Sequence, residues 1–334
     1  MRKLINAPDD FVDEYLAGIL AAHPGALRAV SGDGRALARA DAPVPGRVGI
    51  VTGGGSGHLP VFLGYVGRGL ATAAAVGNVF SAQSGDAAEA AVRAADSGAG
   101  VLCLYGNYTG DRLNFDLACD LAADDGITTR TVRFTDDAAS APPERAAERR
   151  GVAGLFFGYK CAGAAAERGD PLDAVTAIAA RTNAATRSAG VGLAPTIIPA
   201  TGRPTFTLEP GEMEIGIGIH GEPGIRRGPL QPADAVADQL LDTVAPELDL
   251  ARGDRVAVLV NGLGATSREE LYILFRRVAA RLGDLGVGVH RTWVGEYATS
   301  MEMAGASLSL LKLDDELAGL LDAPASSPFF REGP

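Results

Sequence analysis

From Arg47 to Val132 the chain alternates strand-like apolar runs with helical patterns, and this alternation narrows the fold more than any other feature. Arg47–Thr52 is a β-branched run that enters a glycine-dense turn, Gly53-Gly54-Gly55-Ser56-Gly57-His58. Leu70–Val76 is small and apolar, and Asp86–Asp96 has alanine-rich helical spacing that stops before Gly98. Val101–Tyr105 reads as a buried strand ending in Gly106-Asn107-Tyr108-Thr109-Gly110-Asp111, followed by a helix from Arg112 to Asp124 and a strand from Ile127 to Val132. Such alternation is the signature of a mostly parallel sheet covered by helices.

The same logic extends to both sides. Val12, Tyr15, Leu16, Ile19 and Leu20 recur at helical spacing after Pro8-Asp9-Asp10, so an amphipathic helix opens the fold. Thr135–Arg150 is polar, carries Pro142-Pro143 and is expected to be a surface connection. Gly154–Tyr159 is predicted to be a buried strand and Pro171–Arg187 a helix. The pattern changes around Ala189-Gly190-Val191-Gly192, and Thr196–Ile219 holds short strand-like segments and turns, which places a domain boundary between 188 and 189. The second half, 189–334, repeats the α/β logic: a strand Arg255–Val260, a turn Asn261-Gly262-Leu263-Gly264, a helix opened by a capping box at Thr266 and Glu269, a strand Val287–Val294 and an apolar helix over Leu308–Leu321. The expectation is an α/β protein of two domains with mixed, mostly parallel sheets.

Composition sets the function classes aside. With 334 residues, 47% of them hydrophobic and 21% charged, the chain can bury a large core. Its net charge of −11 argues against nucleic acid or an anionic membrane surface as a partner, because its field repels phosphate. No stretch approaches the roughly 20 apolar residues of a transmembrane helix. Asp9 and Asp10 interrupt the start before an export signal forms, so a cytoplasmic location is expected. Cys103, Cys119 and Cys161 have no metal-ligand spacing and read as buried thiols of a reduced compartment; no metal site is expected.

Histidine is scarce, with four in the chain, and two of them sit in glycine-rich turns. His58 closes the Gly53–His58 turn, and His220 lies in Ile217-Gly218-Ile219-His220-Gly221-Glu222-Pro223-Gly224. Two such turns look like two sides of one small-molecule site. The first lacks the Lys-Ser/Thr pair of a Walker loop, which favours a substrate loop whose backbone N–H groups hold hydroxyl or carbonyl oxygens over a nucleotide loop. Asp111 is either a helix N-cap or a carboxylate that shares acid–base work with His58, as deprotonation of an attacking hydroxyl requires. His220 is either a hydrogen-bonded strand-end residue or an exposed imidazole that adds to a ketone carbon as a hemiaminal. His23 and His290 read as structural.

Taken together, these segments resemble the substrate-binding subunit of the dihydroxyacetone kinase family. The resemblance runs nearly end to end, through Gly53–Pro60, Gly106–Phe115, Arg150-Gly151-Val152-Ala153-Gly154, Gly211–Gly224, Asn261–Gly264, Tyr297-Ala298-Thr299-Ser300 and Leu311–Leu317. It implies a two-domain α/β subunit, homodimeric, that binds a ketose between its domains. On it, His220 is the hemiaminal residue, His58 the proton acceptor and Asp111 its companion, with Gly55, Ser56, Gly57 and Gly106 as substrate contacts. It also implies that this chain binds no cofactor, and that a separate all-helical nucleotide-binding L-type subunit holds Mg-ATP or ADP.

Departures from the family pattern bear on the substrate. Gly106 stands where dihydroxyacetone-specific members carry a lysine, Leu59 where a glutamate is usual, and Phe80-Ser81-Ala82-Gln83-Ser84 where the family has Phe-Thr-Ser-Pro-Thr. Loss of the lysine is expected to open room for another hydroxymethyl group, so the resemblance points to the tetrulose branch, with erythrulose ahead of dihydroxyacetone and Gly106 and Leu59 deciding between them. A ketose-binding sensor without catalysis is the competing reading, and the family contains such members.

Overall fold

The computed structural model describes residues 3–333. Its first sheet holds β1 (Leu27–Ala29), β2 (Ala36–Arg39), β3 (Gly49–Ser56), β4 (Ala73–Val79), β5 (Val101–Gly106) and β6 (Thr129–Phe134) in the order β1-β2-β4-β3-β5-β6. The pairs among β4, β3, β5 and β6 are parallel, as the alternation requires, and β1 and β2 add antiparallel strands at one edge. The second sheet, β7 (Thr186–Ala194), β8 (Glu212–Ile215), β9 (Arg226–Pro229), β10 (Arg255–Gly262), β11 (Gly288–Gly295) and β12 (Ala304–Leu313), has the order β11-β10-β12-β7-β8-β9. Only β10 and β11 pair in parallel there; the other four pairings are antiparallel, so the second sheet is mixed rather than mostly parallel.

Side-chain alternation explains how the sheets stack. In β3 and β5, Ile50, Leu102 and Leu104 point to one core while Val51, Val101, Cys103 and Tyr105 point to the other. The outer core is closed by α2 (Gly85–Ala95) and α3 (Thr109–Asp124), whose alanines let the helices approach closely. The inner core is shared: α4 (Leu155–Arg168), α5 (Leu172–Ala184) and α8 (Asp315–Asp322) meet the first sheet through Ile50 and Leu104 and the second through Ala257, Leu259 and Leu311. On the far side of the second sheet, α6 (Ala233–Val244) and α7 (Arg268–Asp284) cover Val256, Val258 and Val260. α1 (Phe11–Ala22) packs Val12 and Leu16 on Leu37 and Val76 of the first sheet.

Three elements differ from the sequence expectation. Gly154–Tyr159 opens α4 and is not a strand: every residue from Leu155 to Ala166 is buried, and an apolar run enclosed on all sides carries no period that separates helix from strand. The segment Leu308–Leu321 is divided, Leu308–Leu313 completing β12 and α8 starting after the Asp314 N-cap, whose side chain accepts from Leu317 N–H. The capping box of α7 is Ser267 and Glu270, one residue beyond the Thr266 and Glu269 pair, because the Thr266 hydroxyl donates to the Gly305 carbonyl instead. Among the described residues no helix is long and apolar enough to cross a membrane.

Candidate active site

His58 and His220, carried by different sheets, lie with ring centroids 4.8 Å apart and planes at 80°. His58 follows β3. The glycine run expected to be a turn is extended strand as far as Ser56, because Gly53, Gly54 and Ser56 pair with Ala75, Val76 and Val79 of β4. The turn is confined to Gly57, whose φ of +101° suits glycine, and a Cβ there would meet the Phe80 ring at 2.7 Å. Phe80 itself holds a φ of +55°, rare for an aromatic residue, and its ring stacks on His58 at 4.9 Å.

The loop after β11 fixes both histidines. The Thr299 carbonyl lies 2.9 Å from His58 Nδ1; a carbonyl only accepts, so Nδ1 carries the proton and the buried Nε2, without a partner among the described residues, holds the lone pair. Asn261 holds that loop, accepting from Tyr297 and Ala298 N–H and donating to the Ala298 carbonyl. The next residue, Ser300, donates its hydroxyl to the Ile219 carbonyl, immediately before His220. On the other side, the Ser56 hydroxyl bonds Tyr15 of α1 at 2.8 Å and the Gly77 carbonyl, so its side chain serves the scaffold.

His220 is pinned by its own turn. Glu222 accepts from His220 Nδ1 at 2.9 Å through one oxygen and from the His220 backbone N–H at 2.9 Å through the other. Nε2 is therefore the free nitrogen. Gly218 makes the turn possible: a Cβ there would stand 2.1 Å from Glu222 Oε2 and 2.5 Å from Arg150 Nη1. The glycines around both histidines thus admit the protein's own segments. Arg150 backs Glu222 at 3.8 Å and bonds Asp137 at 2.9 Å. The Tyr108 ring, 4.9 Å from His220 at 84°, and Phe80, 5.5 Å away, complete the walls.

Electrostatics separate the ionisable groups. Burial, then the neighbouring His220, pushes His58 down to about 3, which keeps it neutral. Burial likewise pushes the Asp111 carboxyl up to about 7, against the attraction of His220. Glu222 is half-buried, which raises it, yet its bond to His220 and the charge of Arg150 hold it down to about 2. Asp111 is only 7% exposed and its Oδ1 has no hydrogen-bond partner among the described residues. It is not the N-cap of α3, a position taken by Tyr108, but lies in the first turn.

Other residues named from the sequence have separate outcomes. At Gly106 a Cβ would lie 3.1 Å from the Gly151 carbonyl oxygen and 3.2 Å from the Tyr108 ring, so the protein's own atoms fill the space next to its Cα. Leu59 packs in the apolar cluster beneath α1, beside Leu37 and Leu63. His290 bonds Asp322 at 3.0 Å and His23 packs near Phe329, both away from the histidine pair. Cys103 and Cys161 are buried, but Cys119 is only half-buried. Sequence reasoning did not single out Phe80, Tyr108, Arg150, Glu222 or Thr299 as site residues, although each lies within a segment quoted above.

Comparison with known proteins gives a consistent picture. The model of the Dak1 domain matches residues 17–329. The dihydroxyacetone-binding subunit DhaK of PTS-dependent dihydroxyacetone kinase 2 from Listeria innocua is 47% identical, covering 99% of both chains. L-erythrulose 1-kinase from Mycolicibacterium smegmatis is 44% identical over the whole of this chain, which spans 58% of that longer protein. Among solved structures, the dihydroxyacetone kinase of C. freundii superposes with a TM-score of 0.90 at 31% identity, over 99% of this chain and 60% of its own. The dihydroxyacetone kinase operon co-activator DhaQ follows with a TM-score of 0.88 at 31% identity, over 96% of this chain and 98% of its own.

Proposed function

We propose, since the chain belongs to the Dak1 domain family, that it is the ketose-binding subunit of a short-chain ketose kinase and presents a terminal hydroxyl of a substrate held as a hemiaminal on His220. The observation that carries this reading is the Glu222 clamp, which fixes the His220 tautomer with Nε2 free, next to a neutral His58 whose own Nε2 has no hydrogen-bond partner among the described residues, the two ring centroids 4.8 Å apart.

The chemistry follows from those two nitrogens. The His220 Nε2 lone pair adds to the ketone carbon, the C=O π bond breaks, and the oxygen becomes a hydroxyl as the proton leaves Nδ1, so no proton is gained or lost overall. Glu222 stabilises the cationic imidazole through which this shift passes. The captured ketose then offers a terminal hydroxyl, whose oxygen forms the new bond to phosphorus as the bond from that phosphorus to its leaving oxygen on the donor nucleotide breaks and the hydroxyl proton departs. His58 Nε2 is the acceptor as the proton leaves, and Asp111, raised to about 7, is the companion able to keep it at neutral pH. Gly55, Ser56 and Gly57 contribute backbone contacts and Gly106 lies at the edge of the site.

Erythrulose leads dihydroxyacetone as the substrate, and relatives named for each lie at similar identity. The phosphoryl group comes from Mg-ATP, or from ADP acting as a carrier, on a separate helical L-type subunit. Two further elements of the reading are a homodimer in the cytoplasm and a division into domains 1–188 and 189–334, with the substrate in the cleft between them.

Similarity to the co-activator favours a second reading, a ketose sensor that does not turn over. A sensor needs His220 alone, whereas this chain retains His58 and Asp111 beside it. The test supplies the chain with a purified nucleotide-binding subunit and Mg-ATP, and follows phosphorylation of three- to five-carbon ketoses. Product from erythrulose or dihydroxyacetone supports the kinase; ketose binding with no product from any of them leaves the sensor.

A further inference from the structure

We infer that Gln83 is a specificity-determining residue whose side-chain amide takes the hydroxyl a four-carbon ketose carries beyond the three carbons of dihydroxyacetone. This rests on the ketose reading of the site.

Gln83 lies three residues after the Phe80 that stacks on His58, and its segment runs along the first turns of α3. A Cβ on Gly110 would stand 2.8 Å from the Ala82 Cβ, and Asn114 Nδ2 donates to the Gln83 carbonyl at 2.5 Å, so both ends of the contact are fixed. The side chain crosses to β3, where the Gln83 Cδ lies 3.3 Å and the Phe115 Cζ 3.1 Å from the point at which Gly53 would carry a Cβ. Asp111 and Phe115, one helical turn apart on α3, are both buried. The amide therefore lies against β3 at Gly53 beside the Phe115 ring, with Asp111 one helical turn before Phe115 on α3.

Gln83 is fully buried, and neither its Oε1 nor its Nε2 has a hydrogen-bond partner among the described residues. Asp111 Oδ1, from the adjoining turn, is in the same state. An enclosed primary amide with two donors and an acceptor unmet is destabilising, and a polar ligand that meets them removes that penalty. A four-carbon ketose anchored at its carbonyl carbon on His220 and approached by Asp111 at one hydroxyl offers the hydroxyl of its fourth carbon to such a group. Dihydroxyacetone, whose second hydroxyl sits on the other carbon beside the carbonyl, has no fourth carbon to carry such a hydroxyl.

The test measures ketose affinity calorimetrically on the full chain without a partner subunit, so that turnover does not enter. Gln83→Leu keeps the bulk and removes the amide. It should weaken erythrulose binding by about 10- to 100-fold and dihydroxyacetone binding by less than about threefold. It should also raise the melting temperature of the ligand-free chain. Should the variant not fold, the wild-type chain gives the same comparison from the ligand side: 1,3-dihydroxybutan-2-one, which lacks the distal hydroxyl, should bind about 10- to 100-fold more weakly than erythrulose. Equal weakening of both ketoses, no weakening, or equal binding of erythrulose and its deoxy analogue overturns the assignment of Gln83 alone. A wild-type chain that binds none of these ketoses overturns the ketose reading and this inference with it.

Discussion

Glu222 grips His220 twice, accepting from the ring Nδ1 and from the backbone N–H, each at 2.9 Å. A two-point clamp fixes the tautomer, ring orientation and loop position together, so the nucleophilic nitrogen is defined before any substrate arrives. The carboxylate stays ionised throughout the working pH range, because its bond to His220 and the nearby Arg150 outweigh burial.

Replacing Glu222 with Gln keeps the shape and removes the charge. The variant is expected to raise the ketose Kd by about 10- to 100-fold, the loss typical of one charge-assisted hydrogen bond, with a smaller change in kcat. Calorimetry with dihydroxyacetone and erythrulose, set beside steady-state kinetics, separates the two effects. A fall confined to kcat would contradict the positioning role.

Asp111→Asn addresses the proton. Turnover is expected to drop by about 10²- to 10⁴-fold while ketose affinity changes little, since general-base groups act in the transition state. The same variant should be more stable than the parent at pH 8 and closer to it at pH 5. With its carboxyl raised to about 7, the folded chain binds more protons than the unfolded chain between roughly pH 4 and 7, so Asp111 withdraws stability as pH rises through that window. Melting curves at the two pH values read this directly.

The pH–rate profile carries its own expectation. Ionised Asp111 is the proton-accepting form, so kcat/KM should fall below an apparent pKa near 7, tenfold per unit, and this limb should vanish in Asp111→Asn. His58 is held near 3 and does not titrate in the same range. A limb that survives the substitution assigns the titration to another group.

Gly106→Ala tests whether Tyr108 walls the site. The added Cβ, 3.1 Å from the Gly151 carbonyl and 3.2 Å from the Tyr108 ring, must displace the ring that packs against His220. Ketose affinity is expected to fall by about three- to thirtyfold, on the scale of small overpacking penalties, with His58 geometry retained. Unchanged affinity would show that Tyr108 is not a determinant of ketose binding.

Much of this architecture is legible in the sequence, and the parts that are not have physical causes. Strand–helix alternation identifies β3 to β6 with α2 and α3 because each strand has turn residues at its ends and each helix an alanine stripe. It fails at α4, which is enclosed between two sheets and has no polar face to show a period. Thr135–Arg150 looks like solvated loop, yet Asp136, Asp137 and Arg149 are buried, because Asp136 accepts from Val152 and Gly154 N–H and from the Ser188 hydroxyl, while Arg149 pairs with Glu247. His58, Asp111 and His220 stand out by scarcity and by their glycine-rich settings. Thr299, Phe80 and Gln83 do not, since a backbone carbonyl, a stacked ring and an orphaned amide have no sequence signature and emerge only when the chain closes on itself.

Covalent capture at His220 is the central claim, and carbon NMR with dihydroxyacetone labelled at its carbonyl carbon tests it most directly. With the full-length chain in excess, the ketone signal should be replaced by that of a tetrahedral carbon bonded to nitrogen, and the replacement should be lost in His220→Ala. A bound ketose whose carbonyl carbon keeps its ketone or hydrate signal at saturation would contradict it.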